Sequence, residues 1–124
     1  MTRPPIGVAD YPSHMPVREV SIDELESALA RGARVVDVRE AHEFAAGRVP
    51  GAQLVPMGTV AENLDPFRSD DGAEPVYVVC QSGGRSGRVC EFHAAQGIDA
   101  VNVAGGTGAW VMSGREVDLS EDAL

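Results

Sequence analysis

The chain reads as an α/β domain in which a parallel or mostly parallel sheet is covered by helices on both faces. Three observations predict this. Short apolar runs recur along the chain, as strands buried on both sides do. Helical segments with start and stop signals alternate with those runs. The length, 124 residues, suits one compact domain that buries about two-thirds of its unfolded-chain surface without needing covalent staples.

The elements follow in order. Residues 1–14 are rich in Pro and small residues and are expected to form a loosely ordered arm. The domain is expected over 15–118, with an acidic tail over 119–124. Met15 to Val20 predicts a first strand. Ser21-Ile22-Asp23-Glu24 is a capping box, with Ser21 as N-cap and Glu24 reaching back. The helix it opens runs through Leu25, Ala28 and Leu29 to Arg31, and Gly32 ends it. Arg34 to Val38 is a short buried strand. Glu40 to Ala46 is one or two helical turns stopped by Gly47. Ala52 to Val55 is a third strand, fenced by Pro50-Gly51 and Pro56. A short helix is expected over Thr59 to Leu64, then a surface loop over Asp65 to Pro75. Val76 to Val79 is the strongest strand signal. After it come a glycine-containing loop, a helix from Arg85 to Gln96 stopped by Gly97, and a strand over Ala100 to Val103. Gly105-Gly106 turns into a short helix carrying Trp110, expected as a core anchor. The acidic stretch from Arg115 to Leu124 is expected to fray.

Composition narrows the function classes. The net charge is −9, and all ten cations are Arg. Such a surface disfavours nucleic acid and anionic membranes as partners. From Val76 to Cys90 there are two Arg and no acid, so that segment carries +2 within an acidic protein and suits a small anion. The N-terminal residues lack a basic region followed by an apolar one, so neither a signal peptide nor a membrane span is expected. Two cysteines make no disulfide framework and show no metal-ligand spacing, which points to a reduced, cytoplasmic setting without a metal.

The chemistry concentrates in Cys80-Gln81-Ser82-Gly83-Gly84-Arg85-Ser86. A strand delivers Cys80 to its end, the end at which ligands bind in parallel sheets. Gly83 and Gly84 permit a tight turn, and successive N–H groups of such a loop can cradle an anion at a helix start. Ser82 and Ser86 add hydroxyl donors. Together these favour thiolate, the reactive form of cysteine. The alternative, a buried and inert thiol, is the weaker reading beside the glycine pair, the Arg and the helix start. Cys90 reads as a core-facing small residue. His14, His42 and His93 form no partnered base and no metal set. Asp37 with Arg39, followed by Glu43, is a second constellation. Either Asp37 braces the reactive loop from the neighbouring strand, or it caps its own strand end.

These residues resemble a single-domain rhodanese. Four blocks carry the resemblance in the family's order: Val35 to Arg39 with Glu43-Phe44; Gly47-Arg48-Val49-Pro50-Gly51-Ala52; Cys80 to Ser86; and Gly105-Gly106 with Trp110 and Gly114. The resemblance implies a five-stranded, mainly parallel sheet flanked by helices on both faces. It implies sulfurtransfer without a cofactor. Cys80 would take sulfur from thiosulfate or another small anionic donor, hold it as a persulfide, and pass it to cyanide or a thiol, a protein thiol included. Gln81 to Ser86 would form the binding loop, with Asp37 and Arg39 in support. Arg48 departs from the family, which commonly has His there, and is expected to alter packing or local charge. Related phosphatases and arsenate reductases use a loop one residue longer, so the Cys-x4-Arg spacing favours a sulfur anion over a phosphate. A persulfide carrier or interaction module with little small-substrate turnover is the main alternative.

Overall fold

The computed structural model describes residues 17–69 and 74–119. The expected arm and the end of the acidic tail lie outside these residues. The described chain forms strands β1 (Glu19–Val20), β2 (Val35–Asp37), β3 (Gln53–Leu54), β4 (Val76–Val79) and β5 (Ala100–Val103). They assemble into one sheet of order β1-β5-β4-β2-β3, with every neighbouring pair parallel. Four helices accompany them: α1 (Ile22–Ala30), α2 (Ala41–Ala46), α3 (Gly84–Ala95) and α4 (Gly106–Met112). This is the five-stranded parallel α/β architecture that the resemblance implied.

The strand sequences explain the layering. Alternate residues of a strand point to opposite faces. Val76 and Val78 of β4 enter a core with Val36, Val38, Val89, Cys90 and Phe92, while Tyr77 and Val79 enter a second core with Leu25, Ala28, Val101, Val103 and Trp110. Both faces are therefore apolar, and the central strands are buried along their whole length. Cys80 continues the parity of Val76 and Val78, so it faces α3.

The capping box is present: Ser21 Oγ accepts from Glu24 N–H at 3.1 Å, and Glu24 Oε1 accepts from Ser21 N–H at 3.1 Å. Helices α1 and α3 are each followed by a positive-φ glycine, Gly32 (92°) and Gly97 (77°). The expected helix over Thr59 to Leu64 is instead a 3-10 turn over Met57–Glu62, which follows Pro56 and is pinned by Thr59 donating from both N–H and Oγ1 to Pro56 O.

Two expectations are corrected. The first strand is confined, among the described residues, to Glu19–Val20. The stretch after α4 does not fray up to Asp118. Arg48 and Asp118 exchange backbone hydrogen bonds at 3.0 Å, Trp110 Nε1 donates to Glu116 O at 2.7 Å, and Arg115 pairs with Asp23 and Glu26 of α1. Its acidity suggested solvation, but its backbone is tied to the turn before β3. Arg48 is itself buried, donating to Phe44 O at 3.1 Å with its guanidinium 4.5 Å from the centre of the Phe44 ring.

Candidate active site

The strand order places the site. From β2 the chain moves outward to β3, whereas from β4 it moves the other way to β5. The crevice at the carboxyl ends of β2 and β4 is therefore a topological switch point, where open α/β sheets bind ligands. Asp37 and Val79 are paired there, and Cys80 is the next residue.

Cys80 is buried, and donors converge on its sulfur. Gly83 N–H lies 3.1 Å from Sγ and Ser86 Oγ lies 3.3 Å away. Burial pushes the thiol upward, but hydrogen bonds from the Ser86 side chain and from the N–H groups of Ser86, Gly83 and Ser82 outweigh it, so the thiol ionises below its ordinary value. Gly83 supplies the turn, with φ 107°, and serves as N-cap of α3. Gly84 is already helical, and a Cβ there would meet nothing within 4 Å. Backbone conformation thus favours glycine at Gly83, while neither conformation nor packing requires it at Gly84, although the sequence presents them as a pair.

Cys90 is buried one helix turn past Ser86. Burial, with the Cys80 charge next, drives its thiol far above the ordinary range, so it stays protonated.

The second constellation braces this loop. Asp37 is fully buried. Its Oδ1 accepts from Arg39 N–H at 2.9 Å and Nε at 3.0 Å, and its Oδ2 accepts from Nη2 at 2.9 Å. The guanidinium then donates to Gln81 Oε1 at 3.1 Å and to Gly47 O at 2.8 Å. Asp37 therefore orients Arg39, and Arg39 holds the residue after the cysteine.

Arg85 is not directed at the sulfur. Its Nη1 and Nη2 donate to Glu43 Oε1 and Oε2 at 2.9 and 3.0 Å, a bidentate pair that joins the starts of α2 and α3. The Arg85 hydrogen bonds, acting against burial, hold the Glu43 carboxyl down to about 2. One of the two local positive charges is thus offset in space by an acid from another block, and the donors on the sulfur are N–H and O–H dipoles.

Two groups of site residues lie beyond what the motif spacing reveals. One is the start of α4. Thr107 N–H donates to Cys80 O and Gly108 N–H to Gln81 O, both at 2.9 Å, which clamps the peptide planes on either side of the loop entry. A Cβ at Gly106 would sit 2.4 Å from Cys80 O, and one at Gly108 would sit 2.9 Å from Gln81 O. The glycines of this turn are thus required by the approach of two backbones. The other is Asn102 on β5, buried beside Ser86, with Ser86 Oγ 2.6 Å from its Oδ1. The available signal for it was a lone amide inside an apolar strand.

Among the described residues no group of His, Cys, Asp and Glu is placed to hold a metal, and no helix is long and apolar enough to cross a membrane.

Known proteins resemble this chain in sequence and fold. The rhodanese-like domain family matches residues 21–113, from the N-cap of α1 to the residue after α4. A sulfurtransferase of Allochromatium vinosum is 32% identical over 108 residues, covering 85% of this chain and 98% of that protein. A thiosulfate sulfurtransferase of Pseudomonas putida is 37% identical over 87 residues, covering 69% of this chain and 76% of that protein. The solved structure of a rhodanese-like domain protein from Staphylococcus aureus aligns with a TM-score of 0.71 at 39% identity, covering 85% of this chain and 100% of its own. The sheet order, the cysteine loop at its switch point and these matches together place the chain in the rhodanese-like domain family.

Proposed function

We propose that the protein is a sulfurtransferase in which Cys80 carries sulfane sulfur between a small anionic donor and an acceptor. The Cys80 thiolate attacks the outer sulfur of thiosulfate. A Cys–S–S bond forms, the bond between that sulfur and the sulfonate breaks, and sulfite leaves with its electron pair. Cyanide or a thiolate then attacks the terminal persulfide sulfur and regenerates the Cys80 thiolate. No redox partner is needed, because sulfur moves as a neutral atom between nucleophiles. The convergence of Gly83 N–H and Ser86 Oγ on a buried sulfur carries this reading. Those donors stabilise an anion on Cys80 or on a sulfur attached to it. Gln81 to Ser86 form the binding loop, and Asp37 and Arg39 hold its entry.

A second reading, a persulfide carrier that docks on a protein acceptor, draws on one observation. The Arg85 guanidinium is occupied by Glu43, which leaves the loop without a side-chain cation committed to a dianionic donor.

The test is direct. The protein is incubated with thiosulfate and its intact mass measured, and cyanide is then added and thiocyanate quantified. The expected result is one added sulfur and thiocyanate formation, both abolished in Cys80→Ser and retained in Cys90→Ser. Persulfide without thiocyanate turnover would establish the carrier. Neither signal, with turnover of an aryl phosphate instead, would overturn sulfurtransfer in favour of a phosphatase.

A further inference from the structure

Ser86 Oγ has one proton and two competing neighbours. Cys80 Sγ lies 3.3 Å away and Asn102 Oδ1 lies 2.6 Å away. The orientation of the Asn102 amide is fixed by its other contacts. Its Nδ2 is 2.8 Å from Glu19 Oε2 and 3.2 Å from Gly83 O. A carboxylate and a carbonyl only accept, so the NH2 must face them and Oδ1 must face Ser86. Oδ1 has no proton, so the short Ser86–Asn102 bond requires the Ser86 proton. While that bond is made, Ser86 Oγ can only accept from Cys80, which suits a thiol. A thiolate needs the same proton for itself.

We propose that Asn102 is a positioning residue that competes with the Cys80 sulfur for the single Ser86 hydroxyl proton, making Ser86 a two-position switch. In the resting state Ser86 donates to Asn102 and accepts from the Cys80 S–H. When Cys80 becomes anionic, Ser86 turns its proton to the sulfur and the Asn102 bond is given up. Asn102 thus restrains the ionisation of Cys80, and Glu19 sets the restraint by holding the amide. This inference refines the sulfurtransferase reading and concerns the same cysteine.

The charged groups about the loop are Arg85 with Glu43, Asp37 with Arg39 at the end of β2, Glu19 on β1, and Glu91 on α3, which borders the same groove as Glu19 and Asn102. Substitution at Asn102 or Ser86 removes none of these charges, but Asn102→Leu also frees Glu19 and Gly83 O, an effect that the Ser86→Ala background isolates. The rate of Cys80 alkylation by iodoacetamide, followed by intact mass across pH, reports the thiolate and requires no sulfur transfer. Failure of the sulfurtransferase reading would therefore leave this test intact. Asn102→Leu, similar in size and unable to accept, is expected to move the alkylation midpoint down by about half a pH unit, about three-fold more thiolate below the midpoint. Ser86→Ala is expected to move it up, and adding Asn102→Leu to Ser86→Ala is expected to change nothing further.

A midpoint at or above the native value in Asn102→Leu would overturn the proposal. So would a downward move that persists without Ser86, because a merely loosened loop would not need the hydroxyl. If Asn102→Leu does not fold, the infrared S–H stretch of Cys80, isolated by subtracting the Cys80→Ser spectrum, decides the matter at acid pH. It is expected to shift between the native protein and Ser86→Ala, and identical bands would refute donation from Cys80 to Ser86.

Discussion

Substituting Gly106 by Ala tests whether the start of α4 shapes the cysteine loop. The new Cβ would stand 2.4 Å from Cys80 O and 3.1 Å from the carbonyl carbons of Cys80 and Gln81. Backbone atoms cannot rotate out of the way as a side-chain tip can. Reaching ordinary contact at 3.4 Å means separating the two segments by about 1 Å. The residue also has φ 55°, in the left-handed region, which costs an L-residue about 1–2 kcal/mol. Loss of the Thr107 N–H to Cys80 O bond adds about 1 kcal/mol. The sum, roughly 2–3 kcal/mol, lowers the melting temperature of a domain of this size by roughly 8–12 °C. Displacing a reacting group by about 1 Å costs about 100-fold in rate. Gly84→Ala is the control, since its Cβ meets nothing and its backbone is helical. Calorimetry gives the melting temperatures, and thiocyanate formation from thiosulfate and cyanide gives the rates. If Gly106→Ala melts within about 2 °C of the native protein and turns over within two-fold of it, the α4 clamp has no such role. An equal drop in melting temperature from Gly84→Ala would likewise refute the assignment of strain to Gly106.

Two further outcomes follow from the buried charges. Asp37→Asn takes the carboxylate away from a buried Arg39 and is expected to destabilise by about 3–5 kcal/mol, measured by urea unfolding, with turnover falling because Gln81 loses its anchor. His93 is fully buried between Phe67 and Phe92, with no hydrogen-bond partner on either ring nitrogen among the described residues. Burial, aided by Arg68, lowers its pKa from 6.5 to about 4. The native state therefore binds fewer protons than the unfolded chain in that window. This contribution is fully present above pH 6.5 and is lost as pH falls to 4, amounting to about 3 kcal/mol. His93→Leu is expected to flatten the fall in stability between those pH values, and an unchanged slope would contradict the argument.

Much of the fold was legible because each strand announces itself by apolar residues on both faces and each long helix by its cap. The short helix after Pro56 was legible, but not its 3-10 type or its start at Met57, since the propensities of Gly58 to Glu62 do not distinguish the two types and the Thr59–Pro56 bonds are local geometry. Cys80 and its loop were legible because glycine, thiol, hydroxyl and helix start are adjacent in sequence. The choice between the two readings of Asp37 was not, because it depends on Arg39 reaching Gln81 across the strand gap. Arg85 looked like a free cation for the same reason: its partner Glu43 lies in another block. Asn102 and the α4 clamp join segments far apart in sequence, and no local pattern encodes such pairings. The anchoring of Arg115 to Asp118 was hidden by the acidity of that stretch, since its hold is through backbone and Trp110.

The α4 clamp also bears on the order in which the molecule can become reactive. The carbonyls of Cys80 and Gln81 are gripped by residues that a ribosome adds well after the cysteine itself. A nascent chain that has released β4 and α3 already contains the thiol, yet the turn that disciplines its peptide planes follows later in the chain. The loop therefore takes its final shape only after all five strands and the start of α4 have emerged. A fragment ending before Gly105 would carry Cys80 in an unshaped loop, so α4 acts as a check that β5 and the elements before it are in place.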